Sequence, residues 1–144
     1  MNYPNILEQN IYDKGFKRKF LVIGSCLPKT YPEIVKKFEK EWGSVFTFCL
    51  EQFHYNQLIA KLFDILAIGN TQKIGFLTVD GSPHCVQMHF ASKYLRRGLK
   101  IQTIDYQHYV IRKDGKVFKI KPELIDRARD FSGIGEEITS GKRK

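Results

Sequence analysis

Thiol and imidazole groups carry most of the reactive chemistry in this chain of 144 residues, which contains three cysteines and four histidines. No two cysteines form a CxxC pair, the spacing that structural zinc sites and ferredoxin clusters usually show. Most of these side chains lie instead in short segments that follow apolar runs. The segments are Gly24-Ser25-Cys26, Cys49-Leu50-Glu51-Gln52-Phe53-His54, Asp80-Gly81-Ser82-Pro83-His84-Cys85 and Asp105-Tyr106-Gln107-His108. Thiolate and imidazole donors suit zinc or an iron–sulfur cluster better than magnesium or calcium, so a redox or metal-binding site is expected if the fold joins these segments.

Cys85 has the position that most directly favours reactivity. Ser82 is a good N-cap and Pro83 a good first helical residue, so Cys85 is expected to be the third residue of a helix. Free backbone N–H groups and the helix dipole stabilise a thiolate there, and a neighbouring His84 would lower the thiol pKa further. The sequence therefore predicts either a nucleophile, with His84 or His54 as its base, or a metal ligand. The competing interpretation is a small apolar side chain packed between helix and sheet.

A metal site would draw its ligands from separate segments, which is more typical of a catalytic or exchangeable site than of a structural one. The candidate ligands are Cys26, Cys49, Cys85, His84 and His54. Burial is the competing explanation for Cys49, which ends an apolar run, and simple exposure to water for the histidines. The cofactor is therefore unknown, with zinc and an iron–sulfur cluster as the two alternatives.

Turn residues beside the thiols are candidates for contacting a small ligand, because a glycine turn lets the backbone approach closely and a helix N-terminus favours an anion. These candidate ligand-binding residues are Gly24, Ser25, Asp80, Gly81 and Ser82.

Apolar runs and amphipathic patterns predict the elements that position these groups. Strands are predicted at 20–23, 45–50, 74–79 and 99–104, helices at 30–42, 54–68, 83–97 and 122–131, and a hairpin with strands at 109–112 and 116–119 around Asp114-Gly115. A capping box of Thr30 and Glu33 is expected to begin the first helix.

Alternating strands and helices are typical of right-handed crossovers in a mostly parallel sheet. The predicted fold class is α/β, a three-layer doubly wound sheet of the Rossmann-like or flavodoxin-like kind with a C-terminal β-hairpin at its edge. We expect a single domain over 1–144, with an N-terminal arm at 1–15 and a frayed tail at 134–144.

Ligands in open α/β sheets bind beyond the carboxyl ends of the strands. With a strand order of 2-1-3-4, all three cysteines and three of the histidines, His54, His84 and His108, are expected at that end of the sheet. His89 lies one turn beyond Cys85 on the same predicted helix face.

Positive charge is concentrated in one stretch of the chain, which as a whole carries 24 basic and 15 acidic residues and a net charge of +9. Residues 93–121 contain nine basic residues but only Asp105 and Asp114 as acids. Helix ends and edge protection explain part of this excess. The remaining basic residues predict a surface that binds nucleic acid or an acidic protein, and they are Arg112, Lys113, Lys116 and Lys119. Lys17-Arg18-Lys19 and Arg96-Arg97 are expected at the end opposite the cysteines, so much of the charge should lie away from the site.

Three well-separated cysteines are typical of reduced thiols in a cytoplasm, and no apolar run is long enough to predict a membrane span or a secretory signal. The leading hypothesis is a cytoplasmic redox or metal-binding protein, zinc or iron–sulfur associated. The alternatives are a small thiol-dependent enzyme with Cys85 as nucleophile, and a binding module for nucleic acid or an acidic protein. The oligomeric state, and whether the chain is an enzyme, stay open.

Overall fold

The computed structural model describes residues 3–101, 103–125 and 131–138. The strands are β1 (Arg18–Gly24), β2 (Val45–Phe48), β3 (Thr71–Val79), β4 (Asp105–Ile111), β5 (Val117–Ile120) and β6 (Glu136–Glu137). The helices are α1 (Leu27–Thr30), α2 (Pro32–Trp42), α3 (Tyr55–Ile68) and α4 (Pro83–Lys93), which continues into a π-helical turn at Tyr94–Gly98. Single 3₁₀ turns are found at Ile6–Glu8, Lys14–Phe16, Pro122–Leu124 and Phe131–Gly133.

One six-stranded sheet organises the molecule, in the order β2-β1-β3-β4-β5-β6. The first four strands are parallel, and β5 and β6 are antiparallel to their neighbours. The structure therefore confirms the predicted α/β class and the mostly parallel sheet with antiparallel C-terminal strands, but the fourth strand in the order is Asp105–Ile111 and not the predicted run at 99–104.

Helices cover both faces of the sheet, which explains why the parallel strands are continuously apolar. Phe20 and Val22 of β1 face the core under α3 and α4, whereas Leu21 and Ile23 face the core under α2. The N-terminal segment covers part of the β2 edge, because Asn5 forms a parallel bridge with Thr47.

The predicted strand at 99–104 is wrong. Leu99 follows the π turn, and the fourth strand begins only at Asp105, where it pairs with Lys73 of β3. The sequence pattern predicted one strand at 99–104 and a separate hairpin strand at 109–112. The structure has the single strand β4 in their place, which pairs with β3 on one side and forms the hairpin with β5 on the other. His108 therefore lies inside a strand rather than in the loop after it.

Two helix predictions also need correction. The capping box at Thr30 and Glu33 does not form, because Thr30 is the last residue of α1 and its hydroxyl donates to the Cys26 carbonyl at 3.0 Å. The separate helix α2 then begins at Pro32. Of the helix predicted at 122–131, the described residues form only 3₁₀ turns at either end, and residues 126–130 lie outside the described part.

Gly75 in β3 allows the large ring of Trp42 to lie directly on the sheet. A Cβ at position 75 would stand 2.6 Å from Trp42 Cζ2 and 2.8 Å from Leu21 Cδ1. Trp42 is almost fully buried, so neither neighbour has room to move away.

We expect Gly75→Ala to lower the free energy of unfolding by roughly 1–3 kcal/mol, because it overpacks the core beneath α2. Gly24→Ala is the matched control, since a Cβ there meets nothing closer than Leu27 Cγ at 3.9 Å. Urea unfolding of both variants measures the difference, and equal stability of the two would contradict the packing argument.

Candidate functional site

The three cysteines lie beyond the carboxyl ends of three adjacent strands. Cys49 directly follows β2, Cys26 lies in the turn after β1, and Cys85 is the third residue of α4 after β3. Because β1 is the middle strand of the three, Cys26 lies between the segments that carry the other two thiols. This is the edge at which doubly wound sheets bind their ligands.

The electrostatic environment of Cys26 includes the other two thiols. Partial burial of the Cys26 sulfur raises the pKa of its thiol above the ordinary value, and the Cys85 thiol raises it further. Cys49 and Glu51 contribute smaller effects in the same direction, and a backbone hydrogen bond opposes them. All three thiols are free, with Cys26 exposed and the other two half-buried.

The start of α4 confirms the predicted geometry around Cys85. Ser82 is the N-cap, and its hydroxyl accepts a hydrogen bond from the Cys85 backbone N–H at 3.4 Å. Gly81 has a φ of 85°, so the turn that leads into the helix uses a conformation that favours glycine. The side chain of His84 lies outside the described part of the structure.

The described side chains do not form a binding site for a single metal ion. Within the described residues, no group of three or more His, Cys, Asp or Glu side chains is close enough to hold an ion. His54 is exposed at the N-cap of α3, where the Gln57 Oε1 accepts its backbone N–H at 2.8 Å. A tetrahedral zinc site needs bonds near 2.3 Å from each sulfur, so the thiols do not fit zinc as they stand.

The candidate ligand-binding residues take different roles. The Asp80 carboxylate accepts hydrogen bonds from the Ser132 backbone N–H at 3.1 Å and hydroxyl at 2.5 Å, which ties the turn after β3 to the Phe131–Gly133 turn. Gly24 has room for a Cβ, so packing within the chain does not require a glycine there, and Ser25 is exposed. A ligand contact at Gly24 and Ser25 stays a prediction.

His89 and His108 are not at the exposed end of the sheet but buried between α4 and the sheet, each with 0% exposure. They belong to a continuous chain of four polar side chains. Thr78 Oγ1 lies 2.8 Å from His89 Nε2, the two Nδ1 atoms are 3.0 Å apart, and His108 Nε2 lies 3.1 Å from Ser92 Oγ. Phe76 stacks on the His108 ring with centroids 5.5 Å apart.

The positions of the protons in this chain follow from the single hydrogen of the Ser92 hydroxyl, which donates to the His89 carbonyl at 3.1 Å. Ser92 must then accept from His108 Nε2–H, which leaves His108 Nδ1 as an acceptor. His89 must donate its Nδ1–H to that atom, and Thr78 donates to His89 Nε2. Each of these bonds has one donor and one acceptor when both imidazoles are neutral, so His89 has no free ring nitrogen to act as a base for Cys85.

Burial keeps both imidazoles neutral. It lowers the pKa of His89 from 6.5 to about 3. The pKa of His108 also lies well below its ordinary value, because of burial first and then the charges of His89 and Arg96. The sequence predicts that His89 shares a face of α4 with Cys85, but it does not predict the contact between His89 and His108. The available signals were the spacing of His89 and Ser92 and the polar Thr78 and His108 within apolar strands.

The basic hairpin lies at the same end of the sheet as the cysteines, because β4 runs parallel to β3 and the Asp80 N–H donates to the Ile111 carbonyl. The positive charge of Arg112, Lys113 and Lys116 therefore lies at the thiol end of the sheet. Arg112 also forms an ion pair with Asp114 at 2.7 Å, which reduces its availability to a partner. The expectation of charge at the end opposite the cysteines holds for Lys17-Arg18-Lys19 and Arg96-Arg97, which lie at the start of β1 and the end of α4.

The sheet order and the thiols at its carboxyl edge define an α/β protein of the doubly wound class. A family model described as Rossmann-like domain matches residues 16–141, and the chain belongs to this family. No curated protein and no solved structure matches the chain. In the described part of the chain, no helix has the length and apolar character needed to cross a membrane.

The buried histidines predict a loss of stability in mild acid. Folding lowers both pKa values, so as the pH falls the unfolded chain takes up protons first. Above about pH 6.5 both histidines are neutral in the folded and in the unfolded chain, and the free energy of unfolding has its full value. Below that pH it decreases by about 1.4 kcal/mol per pH unit for each histidine. Urea unfolding should show a decrease of roughly 2–3 kcal/mol in the free energy of unfolding between pH 7.5 and 5.5.

His54→Gln is the matched control for this experiment, because it replaces an exposed histidine outside the buried pair, and the decrease should persist in it. Nitrogen chemical shifts of the folded protein test the cause directly, with a proton expected on His89 Nδ1 and on His108 Nε2. An imidazole of this pair that titrates near pH 6.5 in the folded state contradicts the assignment.

Proposed function

We propose that this Rossmann-like chain is a thiol-dependent redox protein whose reactive groups are Cys85 and Cys26. One observation carries the proposal. Cys26 and Cys85 follow the adjacent parallel strands β1 and β3, and the Cys85 thiol is second only to burial in raising the pKa of the exposed Cys26 thiol. A pair of neighbouring free thiols at the ligand-binding edge of an α/β sheet can transfer two electrons without a cofactor.

The two cysteines take different roles in the proposed reaction with a disulfide substrate. Cys85 attacks one sulfur of that disulfide as a thiolate, its proton passing to a base for which His84 is the candidate, and one substrate thiol leaves. Cys26 then gives up its proton and attacks Cys85 Sγ, which forms a Cys26–Cys85 disulfide, and the second substrate thiolate leaves and takes up that proton. The protein is oxidised by two electrons and the substrate disulfide is reduced by two.

The raised pKa of Cys26 supports this division of roles. A thiol that stays protonated at neutral pH reacts slowly with a disulfide in solution, but it reacts once a mixed disulfide is held beside it. A reducing compartment such as the cytoplasm would keep both thiols available for the next cycle.

A shared metal group is the second candidate, because Cys26 also interacts with Cys49. Cys26, Cys49 and Cys85 would supply three thiolates to an iron–sulfur cluster or a zinc ion, with His84 or His54 as a fourth ligand. The described side chains do not fit a single ion without rearrangement, so no reaction step is assigned to a metal.

The binding-module hypothesis now rests on Lys113, Lys116 and Lys119. Lys113 and Lys119 are exposed, whereas the Arg112 guanidinium is paired with Asp114 and lies over the Phe118 ring at 5.0 Å. A partner of this hairpin stays a prediction without further support.

Oxidation of the purified protein tests the thiol proposal. After reduction and treatment with a small excess of glutathione disulfide, we expect one of the three thiols to remain free and peptide mass spectrometry to show a Cys26–Cys85 link. Cys26→Ser should stop at a glutathione adduct on Cys85, because no second thiol resolves it.

Cys49→Ser is the matched control, since it removes the third thiol of the same edge and should leave the Cys26–Cys85 link unchanged. Three free thiols after oxidation, or a link that requires Cys49, overturns the proposal. Metal analysis of anaerobically purified protein tests the metal candidate. Stoichiometric zinc or iron that is lost in Cys26→Ser, in Cys49→Ser and in Cys85→Ser replaces the dithiol proposal with the metal candidate.

A further inference from the structure

Helix α4 buries apolar side chains on opposite sides, so hydrophobic burial alone does not select one rotation of the helix about its axis. Val86 and Met88 are two positions apart, which places them on nearly opposite sides of a helix. Both are nevertheless buried, Val86 in a cluster with side chains of β4 and β5 and Met88 in the cluster that includes α3. The rotation of α4 is therefore fixed by another kind of contact.

The buried polar chain of Thr78, His89, His108 and Ser92 supplies that contact. His89 of α4 bonds Thr78 of β3 at 2.8 Å and His108 of β4 at 3.0 Å. Ser92 of α4 bonds the same His108 at 3.1 Å. A rotation of the helix by one residue would turn both side chains by about 100° and break all three bonds. Because unpaired polar groups are costly in a protein interior, the buried polar chain favours a single rotation of α4.

Cys85 lies one turn before His89 in the same helix. Residues four positions apart share one side of a helix, so the rotation that places His89 against the sheet also determines where the Cys85 side chain points. The start of the helix is fixed as well, since the Cys85 N–H donates to the Ser82 hydroxyl at 3.4 Å. The direction of the Cys85 thiol is therefore coupled to hydrogen bonds one helical turn away.

The hydrogen-bond partner of His89 in β3 lies beside the end of β1. Leu77 of β3 pairs with Ile23 of β1, and Thr78 is the next residue along β3. Cys26 follows Ile23 by three residues. Both cysteines are thus held relative to the same part of the sheet, Cys26 through the backbone of β1 and Cys85 through the hydrogen bonds of α4.

We propose that His89 and His108 are positioning residues of the thiol pair, which hold Cys85 facing Cys26 and thereby set the reduction potential of the pair. The inference rests on the proposed thiol function. Neither imidazole takes part in the reaction with glutathione disulfide, in which the two cysteines lose two electrons and two protons, one disulfide forms and two glutathione molecules leave as thiols. Two thiols held close together have a high effective concentration, which favours the protein disulfide over a mixed one.

Equilibration of the full chain with buffers of reduced and oxidised glutathione at neutral pH measures the potential, with the Cys26–Cys85 link quantified by peptide mass spectrometry. We expect His108→Leu to lower the equilibrium constant for forming the link roughly tenfold, which corresponds to a rise of about 30 mV in the reduction potential. Leucine fills much of the space of the imidazole but takes a hydrogen-bond partner away from His89 Nδ1 and from Ser92 Oγ.

Two variants of Thr78 separate the hydrogen bond from packing, and they decide the question also if His108→Leu does not fold. Thr78→Val removes the hydroxyl that bonds His89 but keeps the size of the side chain, so it should raise the potential by about 15 mV, roughly a threefold change in the equilibrium constant. Thr78→Ser keeps the hydroxyl and should keep the potential of the unmodified chain. If the buried polar chain only stabilised the fold, both variants would lower the free energy of unfolding and leave the potential unchanged.

Gly75→Ala is the control for a loss of stability, because it overpacks the opposite face of the sheet, under α2. Its potential should equal that of the unmodified chain. The positioning role is overturned if Thr78→Val forms the link at an unchanged potential, if Thr78→Ser shifts the potential as far as Thr78→Val does, or if Gly75→Ala shifts it equally. An unmodified chain that forms no Cys26–Cys85 link overturns the thiol function itself, and the positioning role with it.

Discussion

The position of β1 between β2 and β3 is the constraint on which the candidate thiol site depends. Parallel strands begin and end at the same edges of a sheet, so the order β2-β1-β3 brings together three segments that are far apart in sequence. Cys26 follows the middle strand and therefore lies beside both Cys85 and Cys49. Helices on both faces bury most of each strand, and the thiols lie beyond the carboxyl ends, Cys26 and Cys49 in the turns and Cys85 in the first turn of α4.

The core under α4 meets a different constraint, because it contains polar side chains without access to water. Thr78, His89, His108 and Ser92 satisfy one another in a chain whose proton positions are fixed by one hydroxyl hydrogen. Buried polar groups are costly unless each is paired, so this chain stabilises one arrangement of α4 against β3 and β4. The chain is also why His89, one turn beyond Cys85 on the same helix, cannot serve the thiol chemistry.

The sequence predicted features that depend on a few neighbouring residues. Ser82 and Pro83 begin α4, Gly43 ends α2, and Asp114-Gly115 turns the hairpin, as their local conformational preferences require. It misplaced features that depend on distant partners. The run at 99–104 is as apolar as a strand, but β4 already fills that place in the sheet, and the contact between His89 and His108 joins a helix to a strand 19 residues away. The predicted strand order places the segments that carry the three cysteines next to one another. The distances between the cysteine sulfurs depend on side-chain packing, which a sequence pattern does not predict.

Helix α4 joins the candidate thiol site to the buried polar chain. Its third residue is Cys85, its middle contributes His89 and Ser92 to the buried chain, and its end unwinds into the π turn at Tyr94–Gly98. At 1.5 Å per residue, the 11 residues of α4 span about 16 Å, so one element carries both the Cys85 thiol and the buried imidazole of His89. Apolar contacts alone tolerate small rotations of a helix, but directional hydrogen bonds from two strands do not. The contacts of His89 with Thr78 of β3 and His108 of β4 therefore hold the helix that carries Cys85 in one orientation, although neither imidazole belongs to the candidate thiol site.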